Sequence, residues 1–311
     1  MLSEILSRIF SAIVVTLGVC CLVFFLIHFI PGDPVEMMLG ESAQPADRES
    51  LRQALGLHLP ITTQLVDYLN GLMHFDLGLS IHTRLPISDI IIQRFPATLE
   101  LAVISLMIAI IIALPLGTIA AVKKNSAWDH LAMGFSLFGV SIPNFWMGPL
   151  LIMVFSLWLG WFPVSGKEGF SSVILPAVTL GTAMAAILAR MVRSTLLEVI
   201  NEDYMRTAKA KGLSQQQVIV KHGLRNALLP IITLIGLQLG TLLGGAVITE
   251  KIFSWPGIGL LTIEAIQGRD YPVVQACVLL ISLSYVVVNI LTDLLYVLID
   301  PRIRLKDVKH G

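Results

Sequence analysis

Six stretches of this 311-residue chain contain no Asp, Glu, Lys or Arg: residues 9–32, 101–122, 131–166, 169–189, 226–249 and 271–292. A helix of about 20 apolar residues crosses a hydrocarbon core of ~30 Å, and every one of these stretches is long enough. All 21 Lys and Arg and all 21 Asp and Glu are confined to the connections. A helix buried in a globular core keeps one polar face, which charge-free runs of this length lack. The chain is therefore built of two materials, spans for a lipid solvent and polar connections for water. That pattern excludes a disordered chain, an ordinary cytosolic enzyme and a nucleic-acid reader. A net charge of zero adds no bulk attraction to any partner. The expected fold class is all-α integral membrane, with six transmembrane helices embedded in the bilayer.

The first run exceeds the apolar core of a leader peptide and is read as a retained span. The expected division is 1–30 as an N-terminal segment with the first span, 31–96 as a periplasmic segment with short helices, 97–300 as a five-span core, and 301–311 as a cytoplasmic tail. With the N-terminus inside, the cytoplasmic segments hold 14 Lys and Arg and the outer ones 7. That bias supports six spans with both termini in the cytoplasm. Cys20, Cys21 and Cys277 sit inside apolar runs without a CxxC spacing and read as small core hydrophobes. The histidines form no metal-spaced pair on one helix, so neither a metal nor a cofactor is expected. The chain has no G-x-x-x-x-G-K-[ST] and no H-E-x-x-H. No catalytic residue is expected, and any ATP hydrolysis falls to another chain.

Several connections carry more signal. Pro31 and Pro34 end the first span. Leu65, Tyr68, Leu69, Leu72 and Met73 follow helical spacing within the outer segment. Pro143, Pro149 and Pro163 predict a kinked or re-entrant third span broken at Pro143 and Asn144. Irregular backbone at membrane depth is tolerated only where protein or water satisfies it, so Asn144 is a pathway candidate, with a packing kink as the alternative. Between the fourth and fifth runs, Asn201 is placed to cap a helix. Glu202 and Asp203 occupy its positive end, and Lys209 and Lys211 its negative end. Gly212 supplies a left-handed stop, and Ser214 with Gln217 forms a capping box that opens a second short helix ahead of Pro230. Two capped helices joined at a glycine describe either a rigid docking element or an interfacial amphipathic helix.

This loop resembles that of the binding-protein-dependent ABC importer permeases, whose general pattern is E-A-A-x-x-x-G followed by I-x-L-P. Arg206, Thr207 and Ala208 fill the three leading positions and Gly212 the glycine. Arg206 in place of the acid, and a proline five residues late, are typical of the peptide and nickel importer permeases. Further similarity lies in Pro31-Gly32-Asp33-Pro34, Asp76-Leu77-Gly78-Leu79-Ser80, Pro96-Ala97-Thr98-Leu99-Glu100, Phe253-Ser254-Trp255-Pro256-Gly257-Ile258-Gly259, Arg269-Asp270-Tyr271-Pro272 and Asp300-Pro301-Arg302-Ile303-Arg304.

The resemblance implies the type I importer permease fold and a set of partners. These are a second homologous permease subunit, two cytosolic ATPase subunits, and a periplasmic or lipid-anchored substrate-binding protein; no nucleic acid is involved. It implies an ATPase-coupling loop of Asp203, Tyr204, Arg206, Thr207, Ala208, Lys209, Ala210, Lys211, Gly212 and Leu213. The implied cargo is di- or oligopeptide, with glutathione a possible member and nickel or a metal chelate the alternative. An ion-gradient-driven secondary transporter is the remote rival.

Spacing names the remaining residues. Gly236, Gly240 and Gly244 recur every four residues and form a helix-packing face, within the bundle or toward a partner. Gln238 cannot be solvated by lipid, and Thr241 lies three residues on; both are pathway candidates, an interhelical hydrogen bond being the alternative. Asn289 and Asp293 stand one turn apart near the end of the sixth run, where a boundary contact is favoured over a proton relay.

Overall fold

The computed structural model describes residues 2–29, 34–39, 44–54 and 56–299. The motifs at 31–33 and 300–304 and the tail at 301–311 lie outside the described residues. The described chain is helical: α1 (Leu2–Phe29), α2 (Pro34–Leu39), α3 (Pro45–Ala54), α4 (Ile61–Met73), α5 (Ile87–Val122), α6 (Ala127–Ser141), α7 (Asn144–Leu151), α8 (Phe170–Ile200), α9 (Asp203–Ala210), α10 (Gln215–Gln217), α11 (Arg225–Gly245), α12 (Val247–Ile252), α13 (Ile258–Gln267) and α14 (Tyr271–Ile299). π-helical turns at Ile152–Trp158 and Val218–Leu224 extend α7 and join α10 to α11.

Four helices among the described residues are long and apolar enough to cross a membrane: Ile87–Val122, Phe170–Ile200, Gln215–Leu243 and Tyr271–Tyr296. A bent pair, Ala127–Ser141 with Asn144–Trp158, makes a fifth if it counts as one span, and Ile13–Phe29 is a shorter apolar helix. The pair bends by 101° at Ile142–Pro143, where the prolines place a break.

α5 begins at Ile87, so the Pro96–Glu100 motif lies within the helix. Two local expectations are corrected. Asn201 closes α8 rather than opening α9: its backbone is helical (φ −88°, ψ −6°) and its amide donates to the Leu197 carbonyl. A helix-opening cap must be extended, and Glu202 takes that place (φ −69°, ψ 150°). The helix begun at Ser214 is not short. It runs through the π turn into α11, and Pro230 removes one backbone hydrogen bond without ending it.

The chain divides into two compact units, Met1–Thr98 with Pro256–Ser284, and Leu99–Trp255 with Tyr285–Gly311. The first has a core of Ile27, Ile87, Ile91, Ile258, Leu261, Ala265, Val273, Val274 and Cys277. Buried polar links fasten it. Asp270 accepts hydrogen bonds from Ser80 Oγ (2.6 Å) and the Ile81 N–H (3.2 Å). Thr98 Oγ1 accepts from the Ile258 N–H (2.8 Å), satisfying an orphan donor at the start of α13. Tyr68 of α4 stacks on Phe24 of α1 at 5.9 Å.

The second unit is built around α8, whose buried Ala177, Gly181, Ala185, Ala186 and Ala189 let neighbouring backbone come close. A Cβ on Gly181 would stand 2.8 Å from the Ser105 carbonyl oxygen of α5. Arg193 of α8 holds Asp129 of α6 in a two-pronged ion pair, Nε to Oδ1 at 2.6 Å and Nη2 to Oδ2 at 2.7 Å. Asp129 also accepts from the Asn125 N–H, so the acid fixes the turn that starts α6.

Candidate functional site

The segment from Asp203 to Leu213 is organised by its apolar residues. Eight residues do not hold a helix alone, so α9 depends on what it packs against. Met205 and Ala208, three apart and on one face, are buried with Val218, and half-buried Val199 and Ile200 complete the cluster. Gly223 makes room: a Cβ there would meet Leu196 Cδ1 at 3.0 Å and Met205 Cε at 3.3 Å. The small helix is thereby clamped onto the end of α8 and the π turn ahead of α11.

Its other face is open. Asp203, Tyr204, Arg206, Thr207, Lys209, Ala210, Lys211, Gly212 and Leu213 are all exposed. Asp203 lies in the first turn and pairs loosely with Arg206 (3.5 Å), while Lys209 lies in the last turn; both signs suit the helix dipole. Gly212 sits at φ +80°, the left-handed region that favours glycine, and its N–H reaches the Lys209 carbonyl at 3.0 Å. Ser214 Oγ then accepts from the Gln217 N–H (3.3 Å), and Gln217 Oε1 accepts from the Ser214 N–H (3.1 Å). A cavity of about 450 Å³ beside α9 is lined by Tyr204, Thr207, Ala208, Lys211, Leu213 and His222. The result is a short helix with one face clamped to its own chain and one open, partly cationic face.

The other sequence-selected residues lie in the same unit. Asn144 is the first residue of α7, at the bend, and is half-buried. Gln238 is only 8% exposed, and neither its amide nitrogen nor its amide oxygen has a hydrogen-bond partner. Thr241 is exposed and donates to the Gln238 backbone carbonyl at 2.7 Å, so the two side chains do not share an environment. Gly236 and Gly240 lie against α14: a Cβ on Gly240 would stand 2.6 Å from the Tyr285 ring, and one on Gly236 would collide with Thr292. The surroundings of Gly244 lie outside the described residues. Asn289 and Asp293 line a second cavity, of about 210 Å³, with Thr233, Leu237, Thr292 and Tyr296.

Sequence reasoning missed the Asp129–Arg193 pair. Its one local signal is Ser126-x-x-Asp129, a helix-opening pattern whose serine does accept from the Asp129 N–H (3.4 Å). It also missed that Glu250 of α12 is fully buried.

The family model described as "Binding-protein-dependent transport system inner membrane component" matches residues 113–305, and one for the N-terminal part of such membrane components matches residues 1–102. The chain is 44% identical over 306 residues to the glutathione transport system permease protein GsiC of Escherichia coli O6:H1, covering 98% of this chain and 100% of that one. It is 44% identical over 338 residues to the dipeptide transport system permease protein DppB of Escherichia coli K12, with the same coverage. The fold resembles an inward-facing MetNI methionine ABC transporter chain (TM-score 0.59, 19% identity, 68% of this chain and 96% of that chain). It also resembles an amino acid ABC transporter chain (TM-score 0.51, 15% identity, 70% of this chain and 95% of that chain).

Proposed function

The chain belongs to the family of binding-protein-dependent transport system inner membrane components, a multi-pass inner-membrane permease whose ATP hydrolysis resides in partner subunits, and from that premise we propose how it moves its cargo. Six spans cross the bilayer: α1, α5, the α6–α7 pair, α8, the helix from Gln215 through α11, and α14. Both termini are cytoplasmic, with residues 31–96 as the periplasmic segment, 97–300 as the core and 301–311 as a tail. A second homologous permease completes the path, two cytosolic ATPase subunits energise it, and a periplasmic or lipid-anchored binding protein delivers the cargo.

The observation that carries this reading is the division of α9 into a clamped face and a free one. Asp203, Tyr204, Arg206, Thr207, Lys209, Ala210, Lys211, Gly212 and Leu213 meet the ATPase. Met205 and Ala208 pass its movement to α8 and α11. Closure of the ATPases on nucleotide and docking of the loaded binding protein then bias one two-state bundle from opposite sides. Asn144, Gln238 and Thr241 border the path, and Gly236 and Gly240 let α11 approach α14. The cargo is a di- or oligopeptide, glutathione included, as the names of the relatives suggest. A short peptide whose end charges cancel suits a path walled by neutral polar groups.

Gly212 tests the coupling role cleanly, because a Cβ there meets nothing within 4 Å and only the backbone is strained. In proteoliposomes holding the assembled importer, Gly212→Val should lower peptide moved per ATP about tenfold through its left-handed φ. Gly212→Asn, which tolerates that φ, should retain most of it. Unchanged uptake by Gly212→Val in an intact complex would overturn the role.

A further inference from the structure

The cavity beside α9 carries a charge that its own chain leaves unanswered. Between Asp203 and Glu250 the sequence holds no Asp or Glu, yet Arg206, Lys209, Lys211, Lys221 and Arg225 follow one another within it. Arg206 is taken up by Asp203 at 3.5 Å. Lys209, Lys211, Lys221 and Arg225 are exposed, and none of them forms an ion pair among the described residues. Of these four, Lys211 alone lines the cavity of about 450 Å³, and no acid lines it.

The rest of the lining is mixed in hydrogen bonding but not in charge. The Lys211 ammonium brings three N–H donors, and the His222 ring brings at least one in either protonation state. Tyr204 can donate or accept, while Thr207 Oγ1 gives its proton to the Asp203 carbonyl (3.0 Å) and offers only lone pairs. A carboxylate suits such a wall, because it answers the ammonium and accepts from the neighbouring donors as well. Leu213 and Ala208 leave room for the short apolar stem of an Asp or Glu side chain. The surroundings favour a protein carboxylate over a lipid phosphate. A helix lying on a membrane turns its apolar residues toward lipid. α9 buries Met205 and Ala208 against its own chain and leaves charged and hydroxyl residues on its open face.

We propose that this cavity receives an acidic side chain of the cytosolic ATPase subunit, with Lys211 as its counter-charge and His222 as a second donor. The proposal rests on the reading that α9 meets the ATPase and adds to it the chemistry of the contact. Charge pairing of this kind fixes the register in which two surfaces meet.

The test uses the complete importer in vesicles of phosphatidylcholine and phosphatidylglycerol. A water-soluble carbodiimide joins an amine to a carboxylate only where the two touch, whereas an amine-to-amine suberate reagent bridges a wide gap. The carbodiimide should join Lys211 to an Asp or Glu of the ATPase, identified by mass spectrometry of the cross-linked peptides. Lys211→Glu, which replaces attraction by like-charge repulsion, should speed loss of the ATPase from the diluted complex roughly tenfold. Lys211→Arg, which keeps the charge, should restore most of the retention. A suberate join from Lys211 to the ATPase without any carbodiimide join would overturn the acidic contact and leave the docking of α9 standing. Equal retention of the ATPase by wild type and Lys211→Glu would overturn it too, as would a carbodiimide join from Lys211 to an acid of its own chain. An effect of Lys211→Glu that vanished in vesicles of phosphatidylcholine alone would assign the cation to anionic lipid and sink the proposal. If neither reagent joined Lys209, Lys211 or Lys221 to the ATPase, the reading that α9 meets the ATPase would itself fall.

Discussion

Around Asp270 the polar side chains of a distinctive motif turn inward, whereas along α9 they turn outward. Asp270 is 4% exposed, and the hydrogen bonds it accepts from Ser80 and Ile81 join the Asp76–Ser80 and Arg269–Pro272 motifs across 190 positions of sequence. Thr98 likewise joins its own motif to the start of α13. In α9 the order is reversed. Apolar Met205 and Ala208 hold the helix down, and the charged and hydroxyl residues face away from the chain. Both stretches are equally conspicuous in sequence. Burial separates a motif whose polar groups fasten this chain from one whose polar groups are left open.

The contrast breaks first, and hardest, where the second unit has its own inward-facing polar link. Arg193→Met should strand the buried Asp129 carboxylate, at a cost of up to roughly 3 kcal/mol for an ion pair whose arginine is only partly buried. The purified complex should melt at a visibly lower temperature. If the variant kept its melting point and lost only coupling, the pair would belong with the outward-facing residues. A smaller loss is expected in the first unit. Asp270→Ala leaves the Ser80 hydroxyl proton and the Ile81 N–H without their acceptor, costing about 1–3 kcal/mol. Melting temperature and membrane abundance should fall together, while transport per surviving complex stays near normal. Normal abundance with lost transport would place Asp270 among the contacts to partners.

What could be read from sequence follows the range of the interaction concerned. Charge-free runs, the Gly212 stop and the Ser214–Gln217 box are local, and each residue states its own requirement: apolar solvent, left-handed φ, an orphan N–H. The break at Pro143 is local in the same sense. The partners of Asp129 and Asp270 are 64 and 190 positions away, and no spacing rule pairs residues at such distances. Asn201 shows a subtler limit. Asparagine suits either end of a helix, and the choice was made by backbone geometry once α8 had run to Ile200. Gln238 and Thr241 show another, since a separation of three residues spans the edge between a buried and an exposed face of α11. The unbroken helix through Pro230 was hidden because a π turn and tertiary packing override the usual reading of proline.

The mildest change tests the outward-facing side of the comparison. Ser214→Ala removes the reciprocal cap that fixes the chain as it leaves Gly212, and loss of such a cap costs about 1 kcal/mol. The cap is exposed, so little of that loss should reach the bundle, and melting temperature should move by no more than a degree or two. The effect should fall instead on the angle at which α9 is presented, because Ser214 and Gln217 set the direction in which the following helix departs. Peptide moved per ATP should drop severalfold less than for Gly212→Val, and Ser214→Asp, which can also accept from the Gln217 N–H, should restore it. A melting temperature that fell with transport unchanged would mean that the cap serves the bundle rather than the projection, and the distinction between inward and outward motifs would have to be redrawn at Gly212.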